Sequence, residues 1–194
     1  MSTAHLRFPC FLGRRIHLGV TGSVAAYKSL ELLRLLKSCH VAVGVTLTAS
    51  AQRFVGADGF LALGADTVNT AMFGPGSGDD PFAHLSPGQN ASALVIAPAT
   101  ANILAKMAYG LADDLLSTQA LAFRGPVVLA PAMNPAMWSA PATRQNWATL
   151  LERGARGVGP ASGEVACGDS GEGKLAPVEH ILAECLRALS PKDL

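Results

Sequence analysis

The sequence predicts an α/β fold: one doubly wound parallel sheet with helices on both faces. Three observations carry this. Short runs that are apolar throughout recur along the chain; stretches of helical period lie between them; and three of the run ends lead out through small or hydroxylated residues. Strands that are apolar on both sides are buried on both faces, and strands alternating with helices build a parallel sheet. The pattern is Rossmann-like or flavodoxin-like. With 194 residues, no internal repeat and no linker, it fits a single domain, 1–194, with a core of about 16–189.

Taken in order, Ile16–Val20 is a compact apolar run that feeds Thr21-Gly22-Ser23. Ala25–Lys37 follows with apolar residues at 26, 30, 33 and 36, a helical period. Val41–Thr48 is rich in β-branched residues and reads as a second strand, and Ser50 is a candidate cap for the next helix. Phe73–Pro81 reads FGPGSGDDP, a composition that predicts a long surface loop. Ala93–Ala97 is a third strand, leaving at Pro98 through Thr100-Ala101-Asn102 into a helix that ends near Gly110. Asp113–Phe123 is a further helix with two acids at its start, where the dipole favours them. Pro126–Ala130 is a fourth strand, leaving through Pro131-Ala132-Met133-Asn134. Ser139 can cap a helix running to about Arg153, Ala155–Val158 is a short fifth strand, and Val178–Leu189 closes the chain as a helix.

Composition excludes several classes. Hydrophobic residues make up 49% and charged residues 15%, a well-buried globular mixture. The formal net charge is +1 and no basic stripe is interleaved with aromatics, so nucleic acid is not the expected partner. No apolar run is long enough to span a bilayer, and Phe8–Leu12 within Met1–Arg15 lacks the features of a signal peptide. The expected location is therefore the cytoplasm, with no membrane partner. The cysteines at 10, 39, 167 and 185 form no CxxC pair and no histidine cluster accompanies them, so no metal site is expected. High Ala and Gly content with low charge fits a chain that hides surface against copies of itself.

In doubly wound folds ligands bind beyond the carboxyl ends of the strands. The exits Thr21-Gly22-Ser23, Pro98–Asn102 and Ala130–Asn134 carry small or polar residues, and the first two supply hydroxyls and the free N–H groups of helix starts, a phosphate cradle. The first turn has one glycine, not GxGxxG; no acid follows the second strand for a dinucleotide ribose; and no GxxxxGK[ST] is present. A single phosphate fits best, which favours FMN over NAD or ATP. A plain strand–helix turn is the competing reading of Gly22-Ser23 taken alone.

TGSVAAYK (21–28), APATANILAKMAYGLADDLLS (97–117), APAMNPAMW (130–138) and ACGDSGEGKLA (166–176) resemble the homo-oligomeric flavin-containing cysteine decarboxylases. The likeness runs from about Ile16 to the final helix, and is strongest to the branch acting on 4'-phosphopantothenoylcysteine in coenzyme A biosynthesis. The resemblance implies FMN held by Gly22, Ser23, Thr48, Ala99, Thr100, Asn102, Ala132 and Met133. It implies Asn134 as the carboxylate-binding amide, Cys167 as a proton donor and His84 as the active-site histidine. Ala166, Gly168, Asp169 and Lys174 would complete the substrate side. It also implies a trimer, or a dodecamer of trimers, with sites at subunit interfaces; any partner synthetase would be a separate polypeptide.

The chain departs from the family pattern after His84, which is followed by Leu85-Ser86-Pro87, and at Lys174-Leu175. Taken alone, His84 reads as an ordinary loop histidine, and Met137 and Trp138 as core. Direct loss of CO2 from a cysteinyl carboxylate leaves a carbanion without an electron sink, which is why a redox cofactor is implied. Rival readings are a peptidyl-cysteine decarboxylase of lantibiotic type, a flavin prenyltransferase of the same fold, and a non-catalytic FMN-binding regulatory protein.

Overall fold

Six short strands meet edge to edge in one twisted layer: β1 (Arg15–Val20), β2 (Ala42–Leu47), β3 (Thr67–Asn69), β4 (Ala93–Ala99), β5 (Val127–Pro131) and β6 (Arg156–Gly157). Their order is β3-β2-β1-β4-β5-β6 and every pairing is parallel, as expected for a doubly wound sheet. This is a computed structural model, and it describes residues 11–73 and 82–190. The helices are α1 (Lys28–Ser38), α2 (Ala57–Ala62), α3 (Ser86–Asn90), α4 (Ala101–Tyr109), α5 (Leu115–Ala122), α6 (Pro135–Ser139), α7 (Pro141–Glu152) and α8 (Val178–Leu189). A separate antiparallel ribbon, β7 (Ala161–Glu164) with β8 (Ser170–Lys174), lies outside the sheet.

The strands divide their side chains between two cores. Ile16, Leu18 and Val20 point with Val43 and Val45 toward Leu32, Leu33 and Leu36 of α1 and Ile181 and Leu189 of α8. Leu94, Ile96 and Leu129 point the other way, onto Ile103 and Leu104 of α4, Leu116 of α5, and Trp138 and Trp147. The two indoles meet edge to face, with centroids 5.5 Å apart. Each large aliphatic side chain buried here stabilises the fold by roughly 1.5–3 kcal/mol. Cys39 and Cys185 belong to the first core, and burial pushes the Cys185 thiol up to about 12.

Several boundaries differ from the sequence reading, each for a local reason. A 3-10 turn, Val24–Tyr27, precedes α1, so the first helix starts later than Ala25. Ser50 precedes only a 3-10 turn, Ala51–Arg53, and makes no side-chain cap bond; the helix proper starts at Ala57, after Gly56. Ser139 ends α6 instead of capping α7, because Pro141 takes the first turn of α7, where its missing N–H costs nothing. Of the two acids before α5, Asp114 is the cap: its Oδ1 accepts from Ser117 N at 2.8 Å, and Asp114 N donates to Ser117 Oγ at 3.1 Å. Lys106 Nζ lies 2.6 Å from both Asp113 and Asp114, tying α4 to this cap. The Gly/Asp-rich loop expected at 73–81 falls almost wholly outside the described residues, as do Cys10 and most of the leader. Among the described residues no helix is long and apolar enough to cross a membrane, and no cluster of metal-ligating side chains forms.

Candidate active site

β1 and β4 are neighbours, yet the chain leaves β1 toward α1 on one face and β4 toward α4 on the other. Their divergence opens a crevice at the carboxyl edge of the sheet. Thr21 closes its floor. Its Oγ1 donates to Pro98 O at 2.7 Å and accepts from Thr100 N at 3.1 Å, joining the two exits through one buried hydroxyl. The turn after β2 comes close as well: a Cβ on Gly22 would collide with Ser50 Cβ and sit 3.1 Å from the Ser50 carbonyl carbon.

Three hydroxyls ring this crevice in one common state. Ser23 Oγ accepts from Ala25 N at 3.3 Å, Thr48 Oγ1 from Ala51 N at 3.2 Å, and Thr100 Oγ1 from Ile103 N at 3.5 Å. Each uses a lone pair on a helix or turn start, which leaves its O–H to donate. No carboxylate occurs in 21–24, 48–51 or 99–102. Hydroxyl donors, helix-start amides and an absence of negative charge in these turns form a donor set that fits the phosphate of FMN. Ala99 is buried beneath it, and Asn102 is exposed on the first turn of α4.

The second half of the site is built by the turn after β5. Asn134 caps α6, its Oδ1 accepting from Ala136 N at 2.8 Å, which fixes the amide so that Nδ2 faces outward. That NH2 donates to Asp169 Oδ2 at 2.5 Å and to Cys167 Sγ at 3.3 Å, and Cys167 Sγ in turn donates to the same Asp169 oxygen at 3.5 Å. Cys167 and Asp169 sit in the tight connection of the β7–β8 ribbon, exposed to solvent. The ribbon is docked by backbone: Met133 N donates to Gly173 O at 2.9 Å. Gly173 is there because no side chain fits; a Cβ would overlap Met133 O and stand 3.2 Å from Pro135 N.

Between the ribbon, the start of α1 and the start of α8 lies a cleft of about 610 Å³. Ser23, Met133, Asn134, Cys167 and Lys174 line it, with Ala132 and Ala166 beside them. One chain thus brings seven of the fifteen sequence-predicted residues to a single cleft, with Gly22, Thr48 and Thr100 around the adjoining crevice. Gly168 is exposed at the ribbon tip with φ +87°.

His84 lies elsewhere. It occupies the turn before α3, its ring 6.5 Å from Phe82, and no described hydrogen bond or ring contact joins it to Asn134 or Cys167. Its neighbour Ala83 is anchored through its carbonyl, which accepts from Gln119 Nε2 of α5 at 2.8 Å. Gln119 is buried near His17, whose Nε2 lies 2.8 Å from Thr46 Oγ1. Burial lowers the His17 pKa to about 4; the Gln119 side chain counters this in part, while Gln119 Oε1 makes no well-aligned hydrogen bond among the described residues. Ser50 and Gly173 escaped sequence reasoning, since only three-dimensional approach gives them a role. An unpatterned GEGK after a cysteine was the available hint for Gly173.

A doubly wound sheet with a phosphate-suited crevice at its switch point, and a ribbon-bordered cleft beside it, defines an α/β cofactor-binding domain of the flavoprotein kind. The chain belongs to the Flavoprotein family, matched over residues 10–190. It is 41% identical over 181 residues to the coenzyme A biosynthesis bifunctional protein CoaBC of Haemophilus influenzae, covering 93% of this chain and 45% of that protein. The chain thus spans about half the length of the curated relatives it matches. A solved mutant PPC decarboxylase complexed with pantothenoylaminoethenethiol superposes with a TM-score of 0.78 at 30% identity, over 93% of this chain and 98% of that one. The FMN-dependent cysteine decarboxylase SpaF gives 0.74 at 34% identity, over 91% and 98%.

Proposed function

We propose that this chain binds FMN and decarboxylates 4'-phosphopantothenoylcysteine to 4'-phosphopantetheine, a step of coenzyme A biosynthesis. The observation that carries the reading is the meeting of Asn134 and Cys167 on one cleft beside the hydroxyl-ringed crevice. Similarity to CoaBC and to a PPC decarboxylase supports the substrate. Gly22, Ser23, Thr48 and Thr100 would hold the phosphate, with Ala99, Asn102, Ala132 and Met133 around the rest of the cofactor. Bound there, FMN supplies a reversible two-electron oxidation of the substrate's thiol-bearing carbon, which makes the carboxylate β to a C=S group easy to lose.

The residues of the chain do the rest. Asn134 Nδ2 binds the carboxylate as a neutral donor, which holds it without a full positive charge that would favour its retention. The Cys167 thiol, in contact with the same amide, donates its proton to the carbon that has lost CO2. Ala166, Gly168 and Lys174 of the ribbon segment cover the substrate and limit water. His84 moves a proton at the thiol. Because His84 stands apart from Asn134 within one chain, a second copy would complete the site, in keeping with a trimer or a dodecamer of trimers. A cytoplasmic location follows from the pathway.

The test is to purify the protein, record its visible spectrum, and follow the mass of added 4'-phosphopantothenoylcysteine. Flavin absorbance with loss of one CO2 is the expected result. Flavin absorbance with an unchanged mass would overturn the substrate, and a cysteine-ending peptide is then the next ligand to try.

A further inference from the structure

The amide that would receive the substrate carboxylate already holds one. Asn134 has a single outward NH2, since its oxygen is committed to Ala136 N. That NH2 is taken by Asp169 Oδ2 at 2.5 Å, an interaction of charged acceptor with neutral donor, on the tip of the ribbon that borders the cleft. The same oxygen receives the Cys167 thiol at 3.5 Å. Asp169 is exposed, and the contact that draws it to the turn after β5 is this one. Its carboxylate therefore sits where a substrate carboxylate would be bound.

We infer that Asp169 is an internal surrogate for the substrate carboxylate, so that substrate binds by exchanging one carboxylate for another on Asn134. This rests on the proposed role of Asn134 and adds to it a selection device. A ligand that carries a carboxylate displaces Asp169 and frees the ribbon tip. Once CO2 has left, the product has no group to compete for Nδ2, and Asp169 returns to Asn134 and to the Cys167 thiol. The surrogate thus sets the ligand requirement on entry and favours departure after the reaction.

The sign of the effect separates this role from that of an ordinary substrate contact. Removing a competing carboxylate tightens binding of the carboxylate ligand, whereas removing a substrate-binding group weakens it. Replacing a charge-assisted bond at an exposed position predicts a fall in KM of about three- to ten-fold in Asp169→Asn and Asp169→Ala. Affinity for the decarboxylated product, 4'-phosphopantetheine, should stay within about two-fold of the parent protein, since it does not use Nδ2. Glu172→Gln removes one negative charge from the same ribbon, where Glu172 faces Arg144 at 3.9 Å, and should leave KM for the substrate unmoved.

The experiment is a comparison of these three variants as FMN-loaded protein, by initial rates with 4'-phosphopantothenoylcysteine and by calorimetric binding of 4'-phosphopantetheine. A raised KM in both Asp169 variants would overturn the surrogate and make Asp169 a direct substrate contact. An equal fall in KM in Glu172→Gln would overturn it in favour of general charge repulsion. If the parent protein fails to turn over the substrate at all, it is the proposed function that falls, and that result is read before any variant is compared.

Discussion

Gly173→Ala isolates the docking of the ribbon from the rest of the fold. The new methyl would overlap Met133 O and press on Pro135 N at 3.2 Å and the Asn134 carbonyl carbon at 3.3 Å. All three neighbours are backbone, so no rotamer change relieves the contact, and β8 must move away by about 1 Å to reach ordinary separation. That breaks the bond from Met133 N to Gly173 O, worth about 1 kcal/mol. For a chain of this size the cost corresponds to a fall in Tm of roughly 2–4 °C. Activity should suffer far more, because displacement of about 1 Å at a reacting group lowers turnover on the order of 100-fold. The crevice between β1, β2 and β4 is untouched, so flavin should remain bound. The assay pairs kcat for CO2 release with flavin absorbance and thermal unfolding. Gly154→Ala serves as control: Gly154 has φ +93° with open space around it, so it takes backbone strain without pushing on the site. Turnover in Gly173→Ala within about three-fold of the parent would refute the argument that ribbon position governs the site.

Gly22→Ala should yield protein that folds but purifies without flavin, since the added methyl wedges the first turn off Ser50; a yellow variant would contradict the crevice assigned to the phosphate. His17 gives a pH dependence. Its folded pKa of about 4 lies below the unfolded value of 6.5, so the unfolded chain takes up the proton first as pH falls. The stabilisation present above pH ~6.5 therefore declines below it and is gone below pH ~4, with about 2 kcal/mol lost by pH 5. Thermal unfolding at pH 7.5 and pH 5 should show this loss, reduced in His17→Gln, and an identical loss in both proteins would remove His17 as its source. Asp114→Ala deletes the α5 cap and one partner of Lys106, and should lower stability by about 1 kcal/mol in denaturant unfolding. An unchanged midpoint would show that Asp113 takes over the role.

Ile16–Val20, Ala93–Ala97 and Pro126–Ala130 were legible as strands because burial on both faces leaves an apolar record, broken in these runs by His17 alone. The amphipathic final helix was legible because Ile181, Cys185 and Leu189 repeat on one face. β3 was not, since three residues at a sheet edge, Thr67-Val68-Asn69, carry too little pattern. The ribbon was invisible for a stronger reason. ASGE and SGEGK hold no hydrophobic alternation, because these strands rest on the turn after β5 through backbone contacts and missing side chains. At the site, Asn134 stood out as a polar amide between Met133 and Pro135 at a strand exit. That its NH2 meets Asp169, 35 positions later, is a fact of folding that no local pattern records.

Thr21 gives the crevice a further property. One hydroxyl at the end of β1 spans the divide between the two halves of the sheet by bonding twice to the exit of β4, to Pro98 O and to Thr100 N. The mouth of the sheet is consequently shaped by folding itself, before any cofactor arrives. Loading becomes a matter of encounter and fit, with little ordering left to do, and a chain emptied of its flavin should retain the form needed to take it up again.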